Sequence, residues 1–116
     1  MLFRSVIIGD FNDILSENDK AGGAPVTYAR TRRLTNIMAQ MDLQSVPYSG
    51  FPYTWFRNHP SYGTIYERLD RALLQSTLVH QFNSVSSTHL PFTSSDHACI
   101  ILFLGDNNGD MRPHQI

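Results

Sequence analysis

Residues Ala98 to Leu104 read ACIILFL, an apolar run with no polar interruption. Successive side chains of a strand point to opposite faces, so a run without alternation is apolar on both. It suits a central strand covered on both sides. Leu2 to Ile8 reads as a second buried strand, because β-branched residues cluster there and Gly9 ends the run. Leu43 to Val46 is a short strand candidate, followed by turns at Pro47, Gly50 and Pro52. Tyr53 to Asn58 is aromatic and threonine-bearing, hence strand-like. Thr64 to Leu74 is expected to begin as a further strand and close a hairpin with it. Ser84 to Leu90 alternates weakly, like a strand near an edge.

Helical signals are fewer. Leu34, Ile37, Met38 and Met41 fall at i, i+3, i+4 and i+7, one apolar stripe of an amphipathic helix over Thr31 to Met41. Arg32, Arg33, Asn36 and Gln40 are left for its wet side. Ser76 to Phe82 reads as a short helix with Ser76 as N-cap. Asp13 to Ala29 is polar and turn-rich, punctuated by Gly22, Gly23 and Pro25, so it is expected to be mostly loop with one helical turn. The sequence suggests no pattern from Gly105 to Ile116, expected to be a loose tail. Strands mixed with helices and hairpins argue for an α/β or α+β sandwich.

At 116 residues the chain is one domain at most. An apolar fraction of 41% and a charged fraction of 16% are those of a globular protein. The net charge of −1 neither advertises nor forbids a nucleic-acid partner. The single Cys99 excludes an internal disulfide and a cysteine-rich zinc site, and fits an intracellular protein. No apolar stretch is long enough to span a bilayer, so no membrane partner is expected. The opening MLFRSVIIGD lacks the longer h-region and cleavage site of a signal peptide.

Polar groups interrupt the apolar pattern at three strand ends: Asp10 with Asn12, Arg68-Leu69-Asp70-Arg71, and Ser94-Ser95-Asp96-His97. Groups held on strand ends are better positioned than groups on free loops. Carboxylates, a carboxamide and an imidazole suit a hard cation and phosphate chemistry. Each motif has a plainer reading. An Asp after a strand is often a turn or cap, an Asp-His pair before a strand is often a turn, and the RLDR charges could be cross-strand ion pairs on a solvent face. Three such motifs in order, each joined to an apolar segment, carry more weight than any one.

The ordered set IIGDFN, YTW, RLDRALL and SSDHACIIL resembles the C-terminal half of the endonuclease/exonuclease/phosphatase superfamily, the DNase I-like proteins. GDFNDILSENDKAGG, ERLDRAL and HLPFTSSDHACIIL are most similar to the endonuclease region of plant LINE-type, non-LTR retrotransposon proteins. The resemblance spans residues 4 to 104, which would be a partial domain (1–104) followed by the tail (105–116).

That resemblance implies half of a four-layered α/β sandwich and hydrolysis of phosphodiesters or phosphomonoesters with Mg²⁺ or Mn²⁺. Carried over by position, Asp10 would orient and activate the attacking water, and Asn12 would hold that aspartate or a phosphate oxygen. Asp96 would be a metal-site carboxylate. His97 would hydrogen-bond the scissile phosphate, with Asp70 holding its ring protonated. Trp55 and Arg68 would contact substrate, DNA or another phosphate ester; core packing is an equal reading of Trp55. A nuclear or other intracellular place of action would follow.

The family's first half supplies an asparagine, a principal metal-ligand glutamate and a tyrosine or histidine near the phosphate. None has a counterpart here. The chain alone is therefore expected to bind Mg²⁺ weakly and to be inactive, with an uncovered face on the sheet holding Val6, Ile8, Ile100 and Leu102. Three readings follow: a metal-dependent nuclease completed by the missing half or a reverse-transcriptase region, a non-catalytic retroelement remnant, and a small nucleic-acid-binding or structural module using Arg30, Arg32 and Arg33.

Overall fold

A computed structural model describes residues 6–93, 95–105 and 111–115, the last segment as backbone only. Leu2 to Ser5 of the expected first strand, and Ser94 of the SSDH motif, lie outside the described residues.

The β-branched run forms β1 (Val6–Asp10), antiparallel to β7 (Asp70–Gln75), which pairs on its other side with β3 (Leu43–Ser45). The β1–β7 register sets Ile8 opposite Ala72 and Asp10 opposite Asp70. Period-two alternation gives this sheet two apolar faces. On one, Ala72 and Leu74 pack with Val46, Leu78 and Leu102, and Ile8 lies against them. On the other, Leu73 and Leu43 pack with Leu34 of helix α1 (Tyr28–Met41), flanked by Ile7 and Met38.

A second sheet runs in the order β10-β9-β8-β4, comprising Met111–Gln115, Ile100–Gly105, Ser84–His89 and Tyr48–Gly50. Only the β4–β8 pair is parallel. Ile100 and Leu102 are each 1% exposed. Leu102 meets Ala72 and Leu74, so the two sheets share a core and α1 covers the outer face of the first. Burying one such leucine contributes about 1.5–3 kcal/mol. A smaller sheet, β2-β6-β5 (Lys20–Ala21, Gly63–Glu67, Trp55–His59), joins the same body. The fold is α+β.

Several expectations change. β1 is an edge strand among the described residues, and Val6 is 42% exposed, so β1 is half-covered rather than buried. Thr64 to Leu74 begins as a strand that closes the expected hairpin with β5, but the strand does not run through. It breaks at Arg68-Leu69 into β6 and β7, which belong to different sheets. β8 lies inside its sheet, because its serines are small enough to be packed: Ser87 is buried and its hydroxyl donates to the Pro47 carbonyl at 3.0 Å. Val6 and Ile8 stand in a different sheet from Ile100 and Leu102, and the two sheets cover each other. In the expected tail, Met111–Gln115 pairs with β9, whose edge would otherwise be open.

The helices also shift. Helix α1 starts earlier than the stripe, with Thr27 as N-cap accepting the Arg30 amide at 3.3 Å. Of the stripe, Leu34 and Met38 pack inward, whereas Ile37 and Met41 are exposed. Helix α2 is Ser76–Val79, and Gln75 occupies the cap position. Ser76 is helical, and its hydroxyl donates to the Asp42 carboxylate at 2.9 Å.

Candidate active site

The break between β6 and β7 has a local cause. Thr54 is fully buried, and its Oγ1 accepts two successive amides, Leu69 at 2.9 Å and Asp70 at 3.0 Å. One hydroxyl oxygen therefore turns the chain as it leaves β6 and sets the first residue of β7. The same short segment holds the third polar motif. The Thr54 carbonyl accepts the Ala98 amide at 2.7 Å, and the Phe56 amide donates to the Asp96 carbonyl at 3.2 Å. Trp55 and His97 form an antiparallel bridge between these bonds. Residues 54–56 thus bind the Asp70 backbone on one side and residues 96–98 on the other.

This brings three distant side chains together. His97 Nδ1 lies 2.8 Å from Asp70 Oδ2 and Nε2 lies 3.8 Å from Asp10 Oδ2. One ligand-type atom from each of the three residues falls within 4.8 Å of the others. A carboxylate only accepts, so Nδ1 carries its proton toward Asp70 and Nε2 faces Asp10. The Asp70 carboxylate is the most shielded, 13% exposed against 34% for Asp10 and for His97. Partial burial pulls the His97 pKa down. The Asp70 hydrogen bond and the charges of Asp70, Asp10 and Asp96 outweigh that effect, and the imidazole ends above its ordinary value.

The other sequence candidates are placed as follows. Asn12 is exposed in the left-handed region at φ 53, and its amide donates to Asp10 Oδ1 at 2.8 Å. It fixes Asp10 through its backbone. Asp96 is exposed beside His97 and outside the three-residue group. Trp55 is half-buried and reaches His97 through the backbone bridge. Arg68 is elsewhere: it is buried, its guanidinium donates to the Val46 carbonyl at 3.3 Å and stacks 4.2 Å from the Tyr48 ring centre. Arg71 is not on a solvent face. It is 1% exposed and pairs at 2.7 Å with Asp19 from the preceding loop. Thr54 stood in the YTW motif without a role of its own, because its two amide partners follow it by 15 and 16 residues.

Two carboxylates and an imidazole within this radius suit a divalent cation by donor type. Mg²⁺ needs six oxygen-type positions at near-octahedral geometry, so substrate and water oxygens would have to fill most of them. Within that group Asp70 is already committed to His97, and Asp96, the carboxylate expected at a metal, lies outside it.

No family model matches this chain, and no solved structure matches it.

Proposed function

We propose that the chain carries the hydrolytic half-site of a metal-dependent phosphodiesterase of the endonuclease/exonuclease/phosphatase type, acting on DNA or another phosphate ester. The observation that carries the proposal is the Asp70–His97–Asp10 relay, assembled from three strand-end motifs far apart in sequence. Asp70 holds the imidazole protonated, so Nε2–H donates to a non-bridging phosphate oxygen and stabilises charge developing there. The Asp10 carboxylate, steadied by the Asn12 amide, takes a proton from water as its oxygen bonds to phosphorus. The phosphorus–oxygen bond to the leaving group then breaks, and the departing alkoxide takes a proton from solvent. Asp96 would hold Mg²⁺ or Mn²⁺, which neutralises phosphate charge when bound.

The basic-module reading draws less support from the surface. Arg30 pairs with Glu67 at 2.6 Å, Arg33 with Asp13 at 2.6 Å, and Arg32 donates to Asn36 at 2.8 Å. Arg30 and Arg33, bound to acidic neighbours, would release fewer counterions from DNA, which leaves Arg32 as the one of the three without an acidic partner among the described residues.

The deciding measurement is nicking of supercoiled plasmid in Mg²⁺ or Mn²⁺ by the chain, by His97→Ala and by Asp10→Asn. A half-site is expected to nick slowly at best, and whatever nicking the wild-type chain shows should be lost in both variants, as deleting a general base or a charge-stabilising donor costs about 10²–10⁴-fold. A wild-type rate no greater than that of either variant rejects catalysis by this chain and leaves the non-catalytic remnant.

A further inference from the structure

The face of β7 opposite Asp70 carries a second polar cluster. By strand alternation Asp70, Ala72 and Leu74 share one face and Arg71 points to the other. Arg71 gives one terminal nitrogen to Asp19 and to the Arg68 carbonyl at 3.2 Å, and the other to Ser45 Oγ at 3.3 Å. Arg68 lies beside it, 8% exposed, between the Val46 carbonyl and the Tyr48 ring. The Nε–H of each arginine is buried and meets no acceptor among the described residues. A cleft of about 430 Å³ opens here, lined by Ser16, Asp19, Ser45, Tyr48, Arg68 and Arg71.

The charge balance of this cleft is incomplete. Two guanidiniums face one carboxylate. Glu67, the next acidic group along the chain, is engaged by Arg30. Burial first, and then the Arg71 charge, bring Arg68 down to about 10, so it remains a cation at neutral pH. A buried charge is tolerated when paired and hydrogen-bonded, and is costly otherwise. The cluster is one anion short of that condition.

We infer that this cleft binds a phosphate group, free or on a phosphate ester, which supplies the missing negative charge between Arg68 and Arg71. Guanidinium forks match tetrahedral oxyanions. The hydroxyls of Ser16, Ser45 and Tyr48 at the walls offer neutral donors that a carboxylate's two oxygens would leave partly unused. The volume exceeds that of phosphate alone and leaves space for an organic substituent. The site is independent of the Asp70–His97–Asp10 relay and does not rest on the hydrolytic reading.

The probe is inorganic phosphate, titrated against chloride and acetate at equal ionic strength. Side-chain ¹⁵N–¹H NMR of the wild-type chain reads the arginine Nε–H resonances directly. Those of Arg68 and Arg71 should shift saturably with phosphate and less with acetate, while those of Arg57 and Arg32 stay in place. Thermal melting provides the second arm. Phosphate should raise the wild-type midpoint, and Arg68→Met should abolish the rise while keeping the Asp19–Arg71 pair and a side chain over Tyr48. Unmoved Arg68 and Arg71 resonances, or a larger response to acetate, overturn the assignment. An equal phosphate-induced rise in wild type and Arg68→Met also overturns it, as that is a general salt effect on the folded state.

Discussion

Thr54 offers the sharpest test of how the candidate site is held. Thr54→Val preserves the shape of a fully buried side chain and removes one oxygen. That oxygen accepts the amides of Leu69 and Asp70 at 2.9 and 3.0 Å, and both lose their acceptor at once. A buried donor left unpaired costs about 1–3 kcal/mol. The Leu69 amide is buried and the Asp70 amide only partly so, which places the total at about 2–4 kcal/mol rather than at twice the upper bound. Thr54→Ser is the control: it keeps the acceptor and loses one methyl, about 0.8 kcal/mol. Urea unfolding of the three proteins should give midpoints in the order wild type, Ser, Val, at constant slope. The His97 ring should report the same event, because release of the Asp70 backbone loosens the carboxylate that holds Nδ1. A Val variant within about 0.5 kcal/mol of the Ser variant, the scatter of ordinary surface changes, would refute the claim that this hydroxyl sets the β6–β7 break.

Three further outcomes are expected. His97 is raised above its unfolded value of about 6.5, so its contribution to stability is complete below that pH and fades as pH rises through the folded value. Urea midpoints across that window should fall in wild type, and the fall should be smaller in Asp70→Asn, whose NMR-titrated His97 pKa should drop; an unchanged His97 titration in the variant rejects the pairing. Leu74→Ala should cost about 2–5 kcal/mol, since Leu74 is wholly buried between the two sheets, whereas Ile101→Ala on the half-covered outer face should cost clearly less; denaturant midpoints compare them. Gly50→Ala should destabilise by at least ~1–3 kcal/mol, because φ is +92° and a Cβ would stand 2.5 Å from the His89 carbonyl, against which β4 pairs; thermal melting reads this, and a neutral result would contradict the close approach.

The chemistry at the strand ends was legible in the sequence because it is local. Asp10, Asp70 and His97 each interrupt or precede an apolar run, and all three meet. The partition into sheets was less legible, because it depends on contacts between distant residues. The polar RLDR motif marked a strand end near Arg68-Leu69, but not that the chain changes sheet there, since the hydroxyl that sets the break belongs to Thr54. The burial of Arg71 was not legible because its partner, Asp19, lies 52 residues away in the short 3-10 turn Glu17–Asp19. Ser84 to Leu90 read as a strand near an edge, and β8 stands one strand in from β4; what the polar serines concealed is that Ser87 has an internal acceptor that lets it be buried. The α1 stripe predicted the right face at Leu34 and Met38 and overreached at Ile37 and Met41, where β3 is too short to cover a further turn.

One feature of the register bears on why a histidine belongs here. Asp10 and Asp70 stand directly opposite each other at the end of the β1–β7 ladder. Like charges so placed weaken strand pairing. A protein optimised only for stability would replace one of them. The imidazole offers a different resolution, a ring that meets both carboxylates unequally and attracts both when it is protonated. At 2.8 Å Asp70 forms a true hydrogen bond, while at 3.8 Å Asp10 is too distant for one. The repulsion is therefore relieved by a ring anchored on one side and free to donate on the other. His97 Nε2 and Asp10 Oδ2 then stand 3.8 Å apart, while Asp10 Oδ1 accepts the Asn12 amide. Under the hydrolysis we propose, a phosphate oxygen would meet Nε2 and a water proton would meet the Asp10 carboxylate, so the residues that cost the ladder stability would be the ones that chemistry uses.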